Sequence, residues 1–217
     1  MATPGELVKV VATVLGLPDA YVASTYRSLR EAGLVTKGGR GPSAAKMTAR
    51  DAATLLGGIL GTGQIVDAAN AVNQFLTRIP HSPPTPFKRV KIAGIADLQA
   101  DHSFIDALEA IINVAAEGKL VRVVPPKWNK VTVSVANPDT SATIIFTIDP
   151  MRGTIAHARY ELPKRYDPKD YEARHRRRDA ILTESRQVGT MIFLYLGALL
   201  AGKLDDLPGL ETFEVTR

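Results

Sequence analysis

DAYVASTYRSLREAGLVTKGGRGPSAAKMTAR, residues 19–50, is the stretch from which the rest of the chain is read. Val22, Tyr26 and Leu29 recur at spacings of four and three, with Ala32 continuing the row, which predicts a helix over 19–32 with one apolar stripe. Asp19 is the expected N-cap. Tyr21, Ser24, Thr25, Arg27, Ser28 and Arg30 fall on the other faces. Gly33 is placed to stop the helix. Leu34-Val35-Thr36 reads as a short strand, residues 37–42 as a tip, and residues 45–48 as a return. The glycines of the tip supply positive φ angles without steric cost. Lys37, Arg40 and Lys46 supply charge for phosphate or minor-groove contact.

Upstream, Thr3, Pro4 and Glu6 form a helix start with a capping box. Leu7, Val10, Val11, Val14 and Leu15 follow at helical spacing. Gly16-Leu17-Pro18 ends that helix. Two helices joined by so tight a turn make a helix-turn-helix, whose second helix enters the major groove. The run LREAGLVTKGGRG followed by MTARDAATLL resembles the corresponding region of winged-helix regulators, the MarR-like group among them. The resemblance covers roughly a fifth of the chain. It implies double-stranded DNA as partner and a homodimer, because one recognition helix reads only a few base pairs. Tyr21, Ser24, Thr25, Arg27, Ser28 and Arg30 would face the groove, and Lys37, Arg40 and Lys46 would hold phosphates from the wing. Winged-helix domains normally carry a supporting helix ahead of the motif. Here the motif begins almost at Met1, so the support is expected from the helix that Thr48 and Asp51 cap, with Ala53, Leu55, Leu56, Ile59 and Leu60.

Gly61-Thr62-Gly63 is read as a break, and a further helix is expected over 64–79 with Ile65, Ala68, Ala71, Val72 and Phe75 inward. Residues 80–86, with four prolines, read as a linker. The expected division is therefore a helical DNA-binding domain over 1–79 and a second domain over 87–217 that dimerises or binds a ligand or partner. In the second part residues 87–95 read as a strand. Ser103 and Asp106 start a helix through Ala115. Residues 120–124, 131–135, 142–148 and 154–162 read as strands of an antiparallel meander. A long helix from about Asp167 is apolar over 181–200, and 210–216 reads as an edge strand. The fold class expected is α+β: an all-helical winged helix-turn-helix-like part, then an antiparallel sheet with two helices.

Composition narrows the chemistry. A hydrophobic fraction of 45% suits a packed core, and the net charge of +5 is a mild basic excess. The absence of cysteine excludes disulfides, zinc ribbons, iron–sulfur clusters and thiol catalysis. The N-terminus does not read as a signal peptide, and Met191–Ala201 is too short to span a bilayer, so a cytoplasmic protein is expected. No cofactor or metal site is expected, because the four histidines are scattered. Arg174, Arg176, Arg177 and Arg178 form a possible secondary nucleic-acid contact, partly neutralised by interleaved acids. Asp149 and Glu161 with Lys164 would be needed for a metal-dependent nuclease, and Trp128 is read as an edge cover or a base-stacking residue. The reading is a non-catalytic, sequence-specific DNA-binding transcriptional regulator, with a protein-interaction module as the alternative.

Overall fold

A computed structural model describes residues 2–37, 46–80, 86–120, 130–137, 141–149, 153–161 and 184–207. The helices are α1 (Pro4–Leu15), α2 (Asp19–Glu31), α3 (Ala49–Gly61), α4 (Ala68–Thr77), α5 (Phe104–Ala116) and α6 (Thr190–Ala201). The strands are β1 (Ile79–Pro80), β2 (Lys130–Asn137), β3 (Ser141–Asp149), β4 (Gly153–Glu161) and β5 (Glu184–Val188), in the antiparallel order β1-β4-β3-β2-β5. The mixed helix-and-antiparallel-sheet class expected from sequence is thus present, with the β2-β3-β4 meander.

Local sequence explains the helix ends. Thr3 and Glu6 close the expected capping box on α1, Thr48 and Asp51 one on α3, and Ser103 and Asp106 one on α5. At the end of α2 the Gly33 N–H donates to the Arg30 carbonyl and the Leu34 N–H to the Leu29 carbonyl. Gly33 sits at φ +76°, a Schellman termination that a residue with a Cβ would strain. Asp19 is not an N-cap: Pro18 occupies that position, without a side-chain cap bond, and Asp19 is the first helical residue.

Alternation in the strands places Val131, Val133 and Val135, Ala142, Ile144 and Phe146, and Ala156, Ala158 and Tyr160 on one buried face. The helices cover that face. α3 lies at the centre of the helical layer, packed by α2, α4 and α5 and touching β2 and β5. Every residue from Asp51 to Gly61 is buried, so α3, expected as the support behind the first two helices, packs against α2 and is also buried on its other sides as a core helix. Its glycines are close-approach points. A Cβ on Gly57 would lie 2.7 Å from Ile105 Cδ1, and one on Gly61 2.6 Å from Ala71 Cβ and 2.8 Å from Phe75. α6 meets α5 in the same way, with Gly197 against the backbone of Ala115 and Ala116.

Several expectations change. Residues 34–36 and 46–48 are not strands, so the described part of the wing has no hairpin. Residues 87–95 form a short 3₁₀ turn over Lys88–Val90 instead of a strand. The helix expected over 64–79 is a 3₁₀ turn, Ile65–Asp67, followed by α4. The long C-terminal helix is replaced over 184–188 by β5, and α6 begins only at Thr190. The 80–86 boundary does not separate two cores. Pro80 pairs with Tyr160 in the sheet, and Phe75, Phe104 and Tyr160 stack in series with ring centroids 4.9 and 5.3 Å apart. Arg50 on α3 also bonds Asp106 and Glu109 on α5. The tip residues 38–45, the linker residues 81–85, the candidate strand residues 121–124, Trp128 and the proposed edge strand 210–216 lie outside the described residues. None of the described helices is long and apolar enough to cross a membrane.

Candidate nucleic-acid interface

The apolar row of α2 faces α1 and α3 through Val22, Tyr26 and Leu29, all buried. Ala32 does not extend it, because the helix has ended and Ala32 is exposed. The outward side carries Arg27 and Arg30, both exposed, and Ser24 and Ser28, half-buried. Two of the expected contact residues are spent inside the protein. Thr25 is fully buried and its hydroxyl donates to the Tyr21 carbonyl at 2.9 Å, the back-bond a hydroxyl makes within a helix. Thr25 therefore cannot meet a base edge. Tyr21 is half-buried, and its hydroxyl donates across to the Thr62 carbonyl at 3.3 Å, which turns it toward the end of α3.

The loop after α2 is held at its base by one carboxylate. Asp51, 2% exposed, accepts from the Thr36 N–H at 2.7 Å and the Thr36 hydroxyl at 3.0 Å. It also accepts from the Thr48 N–H at 2.9 Å and the Thr48 hydroxyl at 2.8 Å. The two ends of the segment 37–47 are thereby tied to the first turn of α3, where the helix dipole favours a negative charge. The exit is fixed further by Met47, whose N–H donates to the Ala2 carbonyl at 2.9 Å and whose sulfur lies 3.5 Å from the Tyr26 hydroxyl. Burial, with Asp51 nearby, raises the Tyr26 phenol above its ordinary pKa.

Lys37 and Lys46 emerge, exposed, on either side of this anchored base. The Lys37 ammonium passes within 4.0 Å of where a Cβ on Gly33 would sit, so it lies over the last turn of α2. There a cation meets the negative end of the helix dipole. Arg27, Arg30 and Lys37 thus gather at the C-terminal half of α2, whereas its first turn carries the exposed Asp19. Of the residues expected from sequence, Arg27, Arg30, Lys37 and Lys46 are exposed and Ser24 and Ser28 half-buried, and the structure brings Lys37 against the end of α2. It removes Tyr21 and Thr25. Arg40, Arg174, Arg176, Arg177 and Arg178 lie outside the described residues. Asp51 was legible only as a helix cap; its second partner, Thr36, is fifteen residues away and no local pattern marks it.

The nuclease pair does not form. Asp149 pairs with Gly153 at one end of the β3–β4 ladder, while Glu161 lies beyond the Ala142–Tyr160 pair at the other. About eight residues of strand, on the order of 27 Å, separate them. Glu161 instead accepts from Arg159 Nε at 2.8 Å. Lys164 is outside the described residues.

Comparison with protein families, with curated proteins and with solved structures gives no match to this chain.

Proposed function

We propose that the chain is a double-stranded DNA-binding transcriptional regulator of the winged helix-turn-helix kind that acts as a dimer. Duplex contact is made by the C-terminal half of α2 and the basic loop anchored behind it. The observation that carries this reading is the Asp51 clamp. It ties both ends of a Gly-rich basic loop to the start of α3, with Lys37 against the end of α2, the helix that carries Arg27 and Arg30. Asp19 would repel phosphate at the start of α2, so the helix approaches the duplex by its other half. Arg30, Lys37 and Lys46 then contact phosphates, and Arg27, flanked by Ser24 and Ser28, is the residue placed to reach a base edge. Met191, 53% exposed, and the half-buried Leu194 and Ala198 of α6 offer an apolar surface for the second copy.

The test is selection from a random duplex pool, followed by anisotropy titrations of the enriched and an unrelated duplex at several salt concentrations. Arg27→Ala should weaken binding to the enriched duplex by about 1–3 kcal/mol, while Lys37→Ala weakens both alike and lowers the salt slope by about one. If no duplex binds at low salt, the reading fails and a protein-interaction role takes its place. If every duplex binds equally with or without Arg27, the specific-reader part fails.

A further inference from the structure

Residues 86–102 lead into α5 with a single 3₁₀ turn, Lys88–Val90, as regular structure. Phe87, Val90, Ile92 and Ile95 turn inward and are 3% exposed or less. The segment lies against the inner face of the sheet. Phe87 meets Phe146 of β3 edge-on with ring centroids 5.4 Å apart, and His102 meets Tyr160 of β4 in the same way at 5.6 Å. Its backbone hydrogen bonds, from Val90 to Phe87 through His102 to Gln99, close within the segment, as does that from Gly94 to the Asp97 carboxylate. Among the described residues one hydrogen bond leaves it: the Tyr160 hydroxyl donates to His102 Nε2 at 2.7 Å. The Gln99 carbonyl at Nδ1 can only accept, so the hydrogen of the neutral ring sits on Nδ1 and Nε2 is the acceptor. A segment held by apolar contacts and a single outside hydrogen bond is of the kind that opens locally.

We propose that residues 86–102 form a strap over the β3–β4 half of the sheet, latched by the His102–Tyr160 bond, and that protonation of His102 releases it. When the ring takes a second proton, Nε2 becomes a donor. The Tyr160 hydroxyl must turn to accept, and its own hydrogen loses its acceptor in a fully buried position beside Phe104. A charge also enters a site that is 6% exposed. The acids that favour this charge are Asp106 at the start of α5 and Asp101. Asp106 is already bonded to Arg50 and Ser103, and Asp101 is exposed, so burial outweighs both and lowers the His102 pKa. The cations nearby give no help. Lys88 and Arg89, beside Phe87, are exposed, and Arg78, ahead of β1, bonds the Gln74 side chain. On the inner face of the sheet the other charged group among the described residues is Arg186 of β5, three strands from β4 and bonded to the α3 carbonyls. The closed strap thus binds the proton less readily than the open one. Closure is favoured above the ordinary histidine pKa near 6.5 and weakens as pH falls below it.

The strap is tested without DNA and independently of the proposed interface. The chain has no cysteine, so a single introduced thiol reports opening. Ile95→Cys puts one under the strap and Ile144→Cys one in the sheet, both at positions 0% exposed. The probe is dithiodipyridine, with its labelling rate normalised at each pH to that of a cysteine peptide. Ile95→Cys should label faster than Ile144→Cys at every pH, and its normalised rate should rise about three- to tenfold from about pH 7.5 to 5.5. Adding His102→Gln should remove the rise. Adding Tyr160→Phe should raise the rate at the higher pH about twofold or more. Equal labelling of the two thiols would mean that the segment opens only with the whole fold, which overturns the strap. A rate that does not change with pH, or a rise that persists with His102→Gln, overturns the part given to the histidine. Should His102→Gln melt early, the wild-type ring decides. Its titration by NMR must have a midpoint below about 6.5; a ring that titrates like a free histidine overturns the latch, because protonation then costs the closed strap nothing.

Discussion

Replacing Asp51 by asparagine changes one oxygen for an amide and asks whether the clamp holds the loop. The carboxylate accepts four hydrogen bonds, two of them from the backbone N–H groups of Thr36 and Thr48. An asparagine can orient its single oxygen toward one of these N–H groups. The other then faces an NH₂, donor against donor. The Thr36 and Thr48 hydroxyls can rotate to accept, but a backbone N–H cannot. Leaving one such donor without its partner costs about 1–3 kcal/mol. Loss of the charge at the N-terminus of α3 adds about 0.3–1 kcal/mol. A total near 2–3 kcal/mol corresponds to a fall in melting temperature of about 4–12 °C for a chain of this size, read by calorimetry or circular dichroism. The functional consequence is separate. With the loop base open, Lys37 and Lys46 no longer sit at fixed positions, so the slope of log affinity against log salt for duplex DNA should fall by up to about two. An unchanged melting temperature refutes the clamp. A lowered melting temperature with an unchanged slope refutes the link between the clamp and phosphate contact.

Thr25→Val should leave duplex affinity within about 0.5 kcal/mol of wild type, since Thr25 is buried and faces no ligand; a loss as large as that of Arg27→Ala would restore it to the interface. Gly197→Ala should destabilise by about 1–3 kcal/mol in urea unfolding, because its Cβ would lie 2.6 Å from the α5 backbone. Gly5→Ala, with nothing within 4 Å, should stabilise slightly; the reverse order would contradict the packing. His102 is held neutral, its pKa lowered first by burial against the raising effect of its bond to the Gln99 carbonyl. Its Nδ1–H donates to that carbonyl, and Nε2 accepts from the buried Tyr160 hydroxyl at 2.7 Å. The unfolded chain therefore binds this proton more readily than the folded one. Stability contributed here is present above the ordinary histidine pKa near 6.5 and is lost as pH falls below it. Melts from pH 8 to 5 should show that loss reduced in His102→Gln, and an identical pH profile would contradict it.

What could be read from the chain alone divides by range. The capping boxes at Thr3, Thr48 and Ser103 were legible because their partners are three residues away. Leu34 to Thr36 carries a strand-like composition, but none of the described residues pairs with it as a strand and Thr36 is held by Asp51 instead. The run from 181 to 200 reads as part of one long helix, yet residues 184–188 take their structure from β2, which supplies a ladder more than forty residues distant in sequence. The four prolines after Ile79 look like a domain boundary, and nothing in their composition reveals that Pro80 already belongs to the sheet. Helical periodicity also counts only one stripe. In α3 it marked Ala53, Leu55, Leu56, Ile59 and Leu60, whereas the glycines at 57 and 61 let neighbours approach until every side is covered. On α2 the same counting placed Thr25 outside, although a hydroxyl that bonds its own helix can be buried at little cost.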